Sequence, residues 1–301
     1  MALGTQSVFE FANVVAREPV YEVRNYSLGG GEVHSSQGVF VRTQAVGDGS
    51  EADSWMVSGV VDPTRRLIPK EELRFIHQAN QLSRRTVGLC TGAFVLGEAG
   101  LLDGRRATTH WAYADALQRL CPEARIEADH IFIVDGPIWT SAGLTAAMDL
   151  ALGMVEKDLG PEIATAVARV LVMNQRRTGG QSQQSAMLKL APKSDRVQTA
   201  LEYARKHLAQ PIRVDDLARA ANLSPRQFGR IFQAETGKSP AKAIEQLRLE
   251  AARTMIERGR HPLEVIARET GFRDRGHLRE VLVRECGVSP QSLRREARGD
   301  A

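Results

Sequence analysis

Apolar and polar positions follow two regimes along the chain. Up to about residue 176, short apolar runs alternate with stretches of helical spacing; beyond residue 194 every periodic segment is helical. Tyr21–Leu28, Val39–Val46, Ser54–Val60, Thr86–Cys90 and His130–Val134 read as strands. Lys70–Arg84, Ala112–Leu120 and Thr145–Glu156 read as helices. This alternation predicts an α/β sandwich around a mostly parallel sheet. Between the regimes, Arg176-Arg177-Thr178-Gly179-Gly180-Gln181-Ser182-Gln183-Gln184-Ser185 is polar and glycine-rich, and Ala191-Pro192-Lys193-Ser194 stops any helix. The expected organisation is an α/β domain over 1–176, a linker over 177–194 and a helical domain over 195–301.

The helical part repeats itself. Gly237-Lys238-Ser239-Pro240 recurs as Gly287-Val288-Ser289-Pro290, 50 residues on, and Phe228 and Phe232 correspond to Leu278 and Leu282 at the same spacing. Leu217-Ala218 corresponds to Ile266-Ala267 at 49, so the second copy carries one extra residue in its turn. Each copy predicts helix, tight turn, helix. Asp215 and Asp216 sit in the first turn of Val214–Ala221, where the helix dipole favours acids. Ser224 is a good N-cap with Pro225 at the first helical position, and Gly237 ends the helix Pro225–Thr236. In the second copy Leu263–Thr270, the turn Gly271-Phe272-Arg273 and Arg275–Cys286 take the same parts, with Asp274 as N-cap. A long helix, about 241–257, joins the copies.

Charge adds a function to this architecture. The net charge is +4, yet residues 192–301 hold 22 Lys/Arg against 15 Asp/Glu and carry +7, leaving −3 on the rest. A basic helical domain is the electrostatic footprint of a nucleic-acid binder. In Pro225–Thr236, Phe228, Ile231 and Phe232 form the inward face, opposite Arg226, Gly229, Arg230 and Gln233. In Arg275–Cys286, Leu278, Val281 and Leu282 face inward, and Arg275, Gly276, Arg279 and Glu280 face out. Arginine can grip guanine O6 and N7 together, so Arg226, Arg230, Arg275 and Arg279 are candidate base contacts, with Gln233 beside them. Each could bind phosphate instead. The strings Ile231-Phe232-x-x-Glu235-Thr236-Gly237-x-Ser239-Pro240, Arg248-x-x-x-Ala252 and Ile266-Ala267-x-x-x-Gly271-Phe272 closely resemble the AraC/XylS DNA-binding domain over about 195–298. The resemblance implies seven helices, with the second helix of each unit entering the major groove on one face of the duplex.

In the first domain, Thr86-Val87-Gly88-Leu89-Cys90-Thr91-Gly92-Ala93-Phe94-Val95-Leu96 is an apolar strand, a cysteine, then small residues opening an apolar helix. An α/β enzyme mounts a nucleophile this way, and a helix N-terminus lowers a thiol pKa. Twenty residues on, Ala107-Thr108-Thr109-His110-Trp111 puts a histidine at a strand end, so Cys90 and His110 could pair as thiolate and imidazolium. The alternatives are an inert core cysteine and a histidine that serves only hydrogen bonds. The run from Cys90 to Trp111, Thr140-Ser141-Ala142-Gly143 and Gly179-Gly180-Gln181-Ser182-Gln183 resemble the sensor domain of GlxA-type regulators over roughly 8–190. That resemblance implies a PfpI-like, class I glutamine-amidotransferase-like flavodoxin-type sandwich, with Cys90 and His110 on the family's nucleophile and histidine positions. Gly59 falls where the fold places oxyanion-hole backbone.

Two departures change the expectation. The family's first strand and its acidic turn precede the helix matching Ser7–Val15, and this chain begins at about that turn, so the strand and acid are missing from it. The glycine-rich segment that follows the strand ending near Gly59 is here Val60-Val61-Asp62-Pro63. Without an orienting acid and oxyanion donors, general-base and transition-state stabilisation both suffer. The expectation is therefore a remnant site (Cys90, His110) and a ligand pocket near Gly59, Cys90, Thr91 and His110, without catalysis. The alternatives are a Cys-dependent amidase or peptidase with a DNA-binding appendage, and a regulator that senses oxidation at Cys90.

Composition bounds the setting. Hydrophobic residues at 43% and charged at 25% exclude wholesale disorder. No run of 18 apolar residues predicts a membrane helix, and Met1–Ser7 lacks the basic start and apolar core of a signal peptide. Cys90, Cys121 and Cys286 are widely spaced with no Cys-x-x-Cys, which predicts neither disulfides nor a zinc site and fits a reducing cytoplasm. The expected protein is a cytoplasmic transcription regulator without cofactor or metal, and the resemblance implies that it is an activator. The partners the resemblance implies are double-stranded DNA, an amine- or amino-acid-like effector, RNA polymerase and, through the first domain, a second copy of itself.

Overall fold

The computed structural model describes residues 2–36, 38–47, 49–173, 177–257, 259 and 261–298. Two compact units divide the chain, one ending at Gln183 and the other beginning at Gln184, within the stretch read as a linker. Arg176, the last residue of the expected α/β domain, lies outside the described residues, as do 299–301. On the near side, Arg177 donates from its backbone N and Nε to the buried Asp149 carboxylate at 3.0 and 2.7 Å. On the far side, Ser185 caps a short helix by accepting from the Leu188 amide.

The first unit runs α1 (Ala2–Ala16), β1 (Tyr26–Ser27), β2 (Gly31–His34), β3 (Phe40–Ala45), β4 (Ser54–Ser58), α2 (Lys70–Leu82), β5 (Arg85–Leu89), α3 (Ala93–Glu98) and β6 (Arg106–Ala107). It continues with α4 (Ala114–Leu120), β7 (Arg125–Ile126), β8 (Phe132–Asp135), β9 (Ile138–Ser141), α5 (Leu144–Leu159) and α6 (Pro161–Val170). The main sheet has the order β4-β5-β9-β8, with β4, β5 and β9 parallel and β8 antiparallel. β5 is buried at every position, as a strand covered on both faces must be. On one face α1 and α5 pack Val8, Phe9, Leu150 and Met154 against Val87, Leu89 and Trp139. On the other, α2, α3 and α4 bring Ile76, Phe94, Leu96 and Leu117 against Ile138. The result is the expected α/β sandwich.

Several expected elements shift for local reasons. Of Tyr21–Leu28 only Tyr26–Ser27 joins a ladder, parallel to β3. Upstream, the Asn13 side chain takes both Tyr21 backbone groups at 2.7 Å, where a strand partner would stand. His130–Val134 becomes Phe132–Asp135, because the Ile131 amide turns to the carbonyls of Gly179 and Gln181. β2, β7, β9 and α6 are additions to the sequence reading. β4 forms one edge of the main sheet, and its residues line a cavity of about 1710 Å³ together with Tyr26, Val33, Val39 and Val41.

The second unit holds α7 (Ala186–Leu190), α8 (Asp195–Lys206), α9 (Val214–Ala220), α10 (Pro225–Thr236), α11 (Pro240–Glu257), α12 (Leu263–Glu269), α13 (Arg275–Cys286) and α14 (Pro290–Arg298). From residue 195 this gives the seven helices expected among the described residues. The predicted caps form: Ser224 accepts from the Gln227 amide and Asp274 from the His277 amide, at 3.4 and 2.8 Å. Gly237 and Gly287 close α10 and α13 with the same left-handed φ of 69°. Phe228 and Phe232 are buried in the core of the first copy, Leu278 and Leu282 in that of the second.

A junction locks the copies together. Arg248 of α11 donates from Nε to the Leu208 carbonyl at 3.1 Å and from its terminal nitrogen to Gln210 O at 2.7 Å. Gly271, in the second turn, backs onto the same spot. Its φ is +77°, and a Cβ there would lie 1.9 Å from Leu208 O and 2.7 Å from Arg248 Nε. Only glycine fits.

Candidate functional site

The candidate site residues form two constellations, one in each unit. In the second unit the apolar periodicity of α10 buries Phe228 and Phe232, which turns Arg226, Arg230 and Gln233 to solvent. The same logic in α13 buries Leu278, Val281 and Leu282 and exposes Arg275, Arg279 and Glu280. The Nε of Arg275 lies 3.9 Å from Glu264, a loose and exposed pair. Arg226, Arg230 and Arg279 have no ion-pair partner among the described residues. Guanidinium groups left unpaired on a helix face are free to meet phosphate or guanine.

In the first unit, the 3₁₀ turn Cys90–Gly92 joins β5 to α3. Cys90 has φ +55°, a left-handed conformation rare for a side-chain-bearing residue, and the turn lifts it to the end of the sheet. Gly59 lies against this turn: a Cβ there would be 2.1 Å from Thr91 Oγ1 and 2.8 Å from the amides of Thr91 and Gly92. Thr91 Oγ1 donates to Val60 O at 2.6 Å and Tyr113 Oη to Val61 O at 2.8 Å, pinning the segment that replaces a glycine-rich loop. Gly59, Cys90, Thr91 and His110 all line that cavity, with Ala112 and Tyr113.

Their geometry differs from an activated pair. Among the described residues no hydrogen bond joins Cys90 Sγ to His110. His110 instead caps the turn Trp111–Tyr113, its Nδ1 accepting from the Ala112 amide at 3.3 Å. Burial pushes the Cys90 thiol above its ordinary pKa, and a hydrogen bond from the Thr91 backbone offsets only part of that. The N-terminus of a short helix thus loses to desolvation, contrary to the expectation of a lowered thiol pKa. What binds the two strand ends is Thr109, whose hydroxyl donates to Cys90 O at 2.9 Å.

One residue escaped the sequence reading as an individual. The Gln183 amide nitrogen donates to Thr109 O at 2.7 Å and His130 O at 3.1 Å, and its oxygen accepts from the Trp111 amide at 2.9 Å. Gln183 therefore grips the backbone on both sides of His110, and it is the last residue of its unit. Its only sequence signal was membership of the Gly179–Gln183 string.

Comparison with known proteins matches a family to each unit. Residues 9–157 match the DJ-1/PfpI family and residues 217–296 a helix-turn-helix domain. The HTH-type transcriptional regulator GlxA of Rhizobium meliloti is 29% identical over 289 residues, spanning 95% of this chain and 89% of that protein. The HTH-type transcriptional regulator CdhR of Pseudomonas aeruginosa is 30% identical over 281 residues, spanning 91% of this chain and 82% of that protein. A crystal structure of an AraC family transcriptional regulator from Pseudomonas putida superposes with a TM-score of 0.52 at 26% identity, covering 56% of this chain and 90% of that one. A shorter match, 40% identical over 98 residues, is to an isonitrile hydratase of Pseudomonas putida; it spans 33% of this chain and 42% of the enzyme. The two units thus define a DNA-binding transcription regulator. The chain belongs to the AraC/XylS-type regulators that join a DJ-1/PfpI domain to a double helix-turn-helix domain.

Proposed function

We propose that this regulator works in the cytoplasm by sensing a small metabolite in the cleft of Gly59, Cys90, Thr91 and His110, and passes that state to its DNA-binding unit. The effector is amine- or amino-acid-like. The output is activation through RNA polymerase, from a homodimer held by the first domain. The carrying observation is Gln183. It holds the two peptides that flank His110 and stands where the chain leaves the first unit, so a ligand that shifts His110 pulls on the chain leading to the DNA-binding helices.

No catalysis is assigned to the cleft. A thiol raised by burial and a histidine engaged with its own turn lack the activation that nucleophilic attack requires. DNA recognition falls to Arg226, Arg230, Gln233, Arg275 and Arg279, from helices α10 and α13 laid in successive major-groove segments.

A thermal-shift screen of amines and amino acids identifies the effector, because a ligand of the native state raises Tm by mass action. Cys90→Ala is then expected to leave operator affinity nearly unchanged while blunting the effector response. Full induction in Cys90→Ala would place the pocket elsewhere. Turnover in the native protein that vanishes in this variant would make it an enzyme.

A further inference from the structure

The internal repeat aligns Phe228 with Leu278, Phe232 with Leu282 and Gly237 with Gly287, each 50 positions apart. The same offset sets Arg230 of α10 against Glu280 of α13. Both are exposed, on equivalent outward faces of equivalent helices, and they carry opposite charge.

Glu280 is also unpaired where sequence would pair it. A glutamate four residues ahead of an arginine on a helix ordinarily forms an i,i+4 ion pair. Arg284 is turned the other way: it holds Glu245 of α11 at 2.7 Å and Glu285 at 2.7 Å, while Lys242 holds the same two carboxylates at 2.8 and 2.9 Å. The neighbouring acids Asp274, Glu264 and Glu269 have arginine partners within 4.0 Å. Arg273 feels Glu280 electrostatically, but its Nε bonds Asp274 at 2.9 Å. Among the described residues Glu280 has no ion-pair partner, so the packing of α13 on α11 leaves a free carboxylate on the face that meets DNA.

A free carboxylate is repelled by phosphates, and in a groove it gains only by accepting from an exocyclic amino group; the major-groove partner of that kind for glutamate is cytosine N4. We propose that Glu280 reads a cytosine in the half-site under α13, so that the two half-sites differ at the positions met by Arg230 and Glu280. This rests on the assignment of α10 and α13 as the reading helices.

The test is selection of duplexes from a randomised library by the full chain, compared with Glu280→Ala, Glu280→Gln and Arg230→Ala. In the native protein one position should favour cytosine on the order of tenfold. Glu280→Ala should flatten that position alone, and Glu280→Gln should move its preference towards adenine, which glutamine grips by N6 and N7. If Glu280→Ala tightens binding to every duplex alike and leaves the profile unchanged, the carboxylate faces the backbone and the proposal falls. If Arg230→Ala flattens its own half-site while the Glu280 variants do nothing, the helix assignment stands without the proposal. If neither alters any position, both fail.

Discussion

The two helix-turn-helix copies share a skeleton and differ on their surfaces. Both bury two large apolar residues one turn apart on the second helix, and both close that helix on a left-handed glycine. Outward, Arg226 faces Gly276, Gly229 faces Arg279 and Arg230 faces Glu280 at matching positions. Duplication preserved what folding requires, because a packed interior tolerates little change in volume. The solvent face carries no such constraint and has diverged, which is the pattern expected if each copy reads different bases.

The turns sharpen this contrast most. Gly271 corresponds to Asn222, which is exposed and adopts the same left-handed region at φ 53°. In the first copy the turn needs only that backbone conformation, which asparagine tolerates. In the second it must also admit Leu208 O and Arg248. Gly271→Ala is therefore expected to destabilise the protein by on the order of 3 kcal/mol, strain and overpacking together. Asn222→Gly should change stability by no more than about 0.5 kcal/mol. Urea unfolding of the two variants checks both; equal effects would mean the junction at Leu208 does not constrain the turn.

Next in size are the arginines. Arg226→Ala and Arg230→Ala should relax base preference in one half of the operator, and Arg275→Ala and Arg279→Ala in the other. Each true base contact is expected to cost about 1–3 kcal/mol of binding. Uniform weakening across all sequences, measured by competition with mutated duplexes, would make them phosphate contacts and remove the functional difference between the copies.

The smallest effect separates the caps. Ser224→Ala should cost about 1 kcal/mol at any pH, since a hydroxyl does not titrate in this range. Asp274 is different. The His277 amide and the Arg273 guanidinium hold its carboxyl below its ordinary pKa. Its contribution is thus present above the unfolded-state value of about 3.9 and is lost as pH falls through the lower folded value. Stability followed through that acid range should lose one component in the native protein that Asp274→Asn lacks. Identical acid profiles would show the second cap to be as indifferent to protonation as the first.

Skeleton features were legible because each rests on a residue type with one physical use. Ser224-Pro225, Gly237 and Gly287 mark helix ends, and the 3.6-residue spacing of Phe228 and Phe232 marks a buried stripe. The strand-to-helix turn at Cys90 was legible for the same reason. Other elements gave weaker signals. β9 is four consecutive buried residues, too short for alternation to show. α6 was announced by Gly160-Pro161, a helix stop followed by a helix start, but the reading of the preceding helix ended before it. In the cleft, the lack of a hydrogen bond between His110 and the Cys90 thiol among the described residues and the grip of Gln183 depend on contacts far apart in sequence, which no local pattern carries.

The junction of Arg248, Leu208 and Gly271 ties the segment after α8 to α11 and to the turn before α13 through two hydrogen bonds and a glycine with no room to spare. B-DNA turns once in about 10–10.5 bp, so one base pair inserted between half-sites rotates the second by roughly 35° and moves it along the axis. A hinged pair of domains would follow that rotation. This pair would have to pull Arg248 off its carbonyls to do so. On the proposed reading with α10 and α13, the operator is measured as well as read: its spacing carries information in the same sense as its letters, and the junction is the ruler.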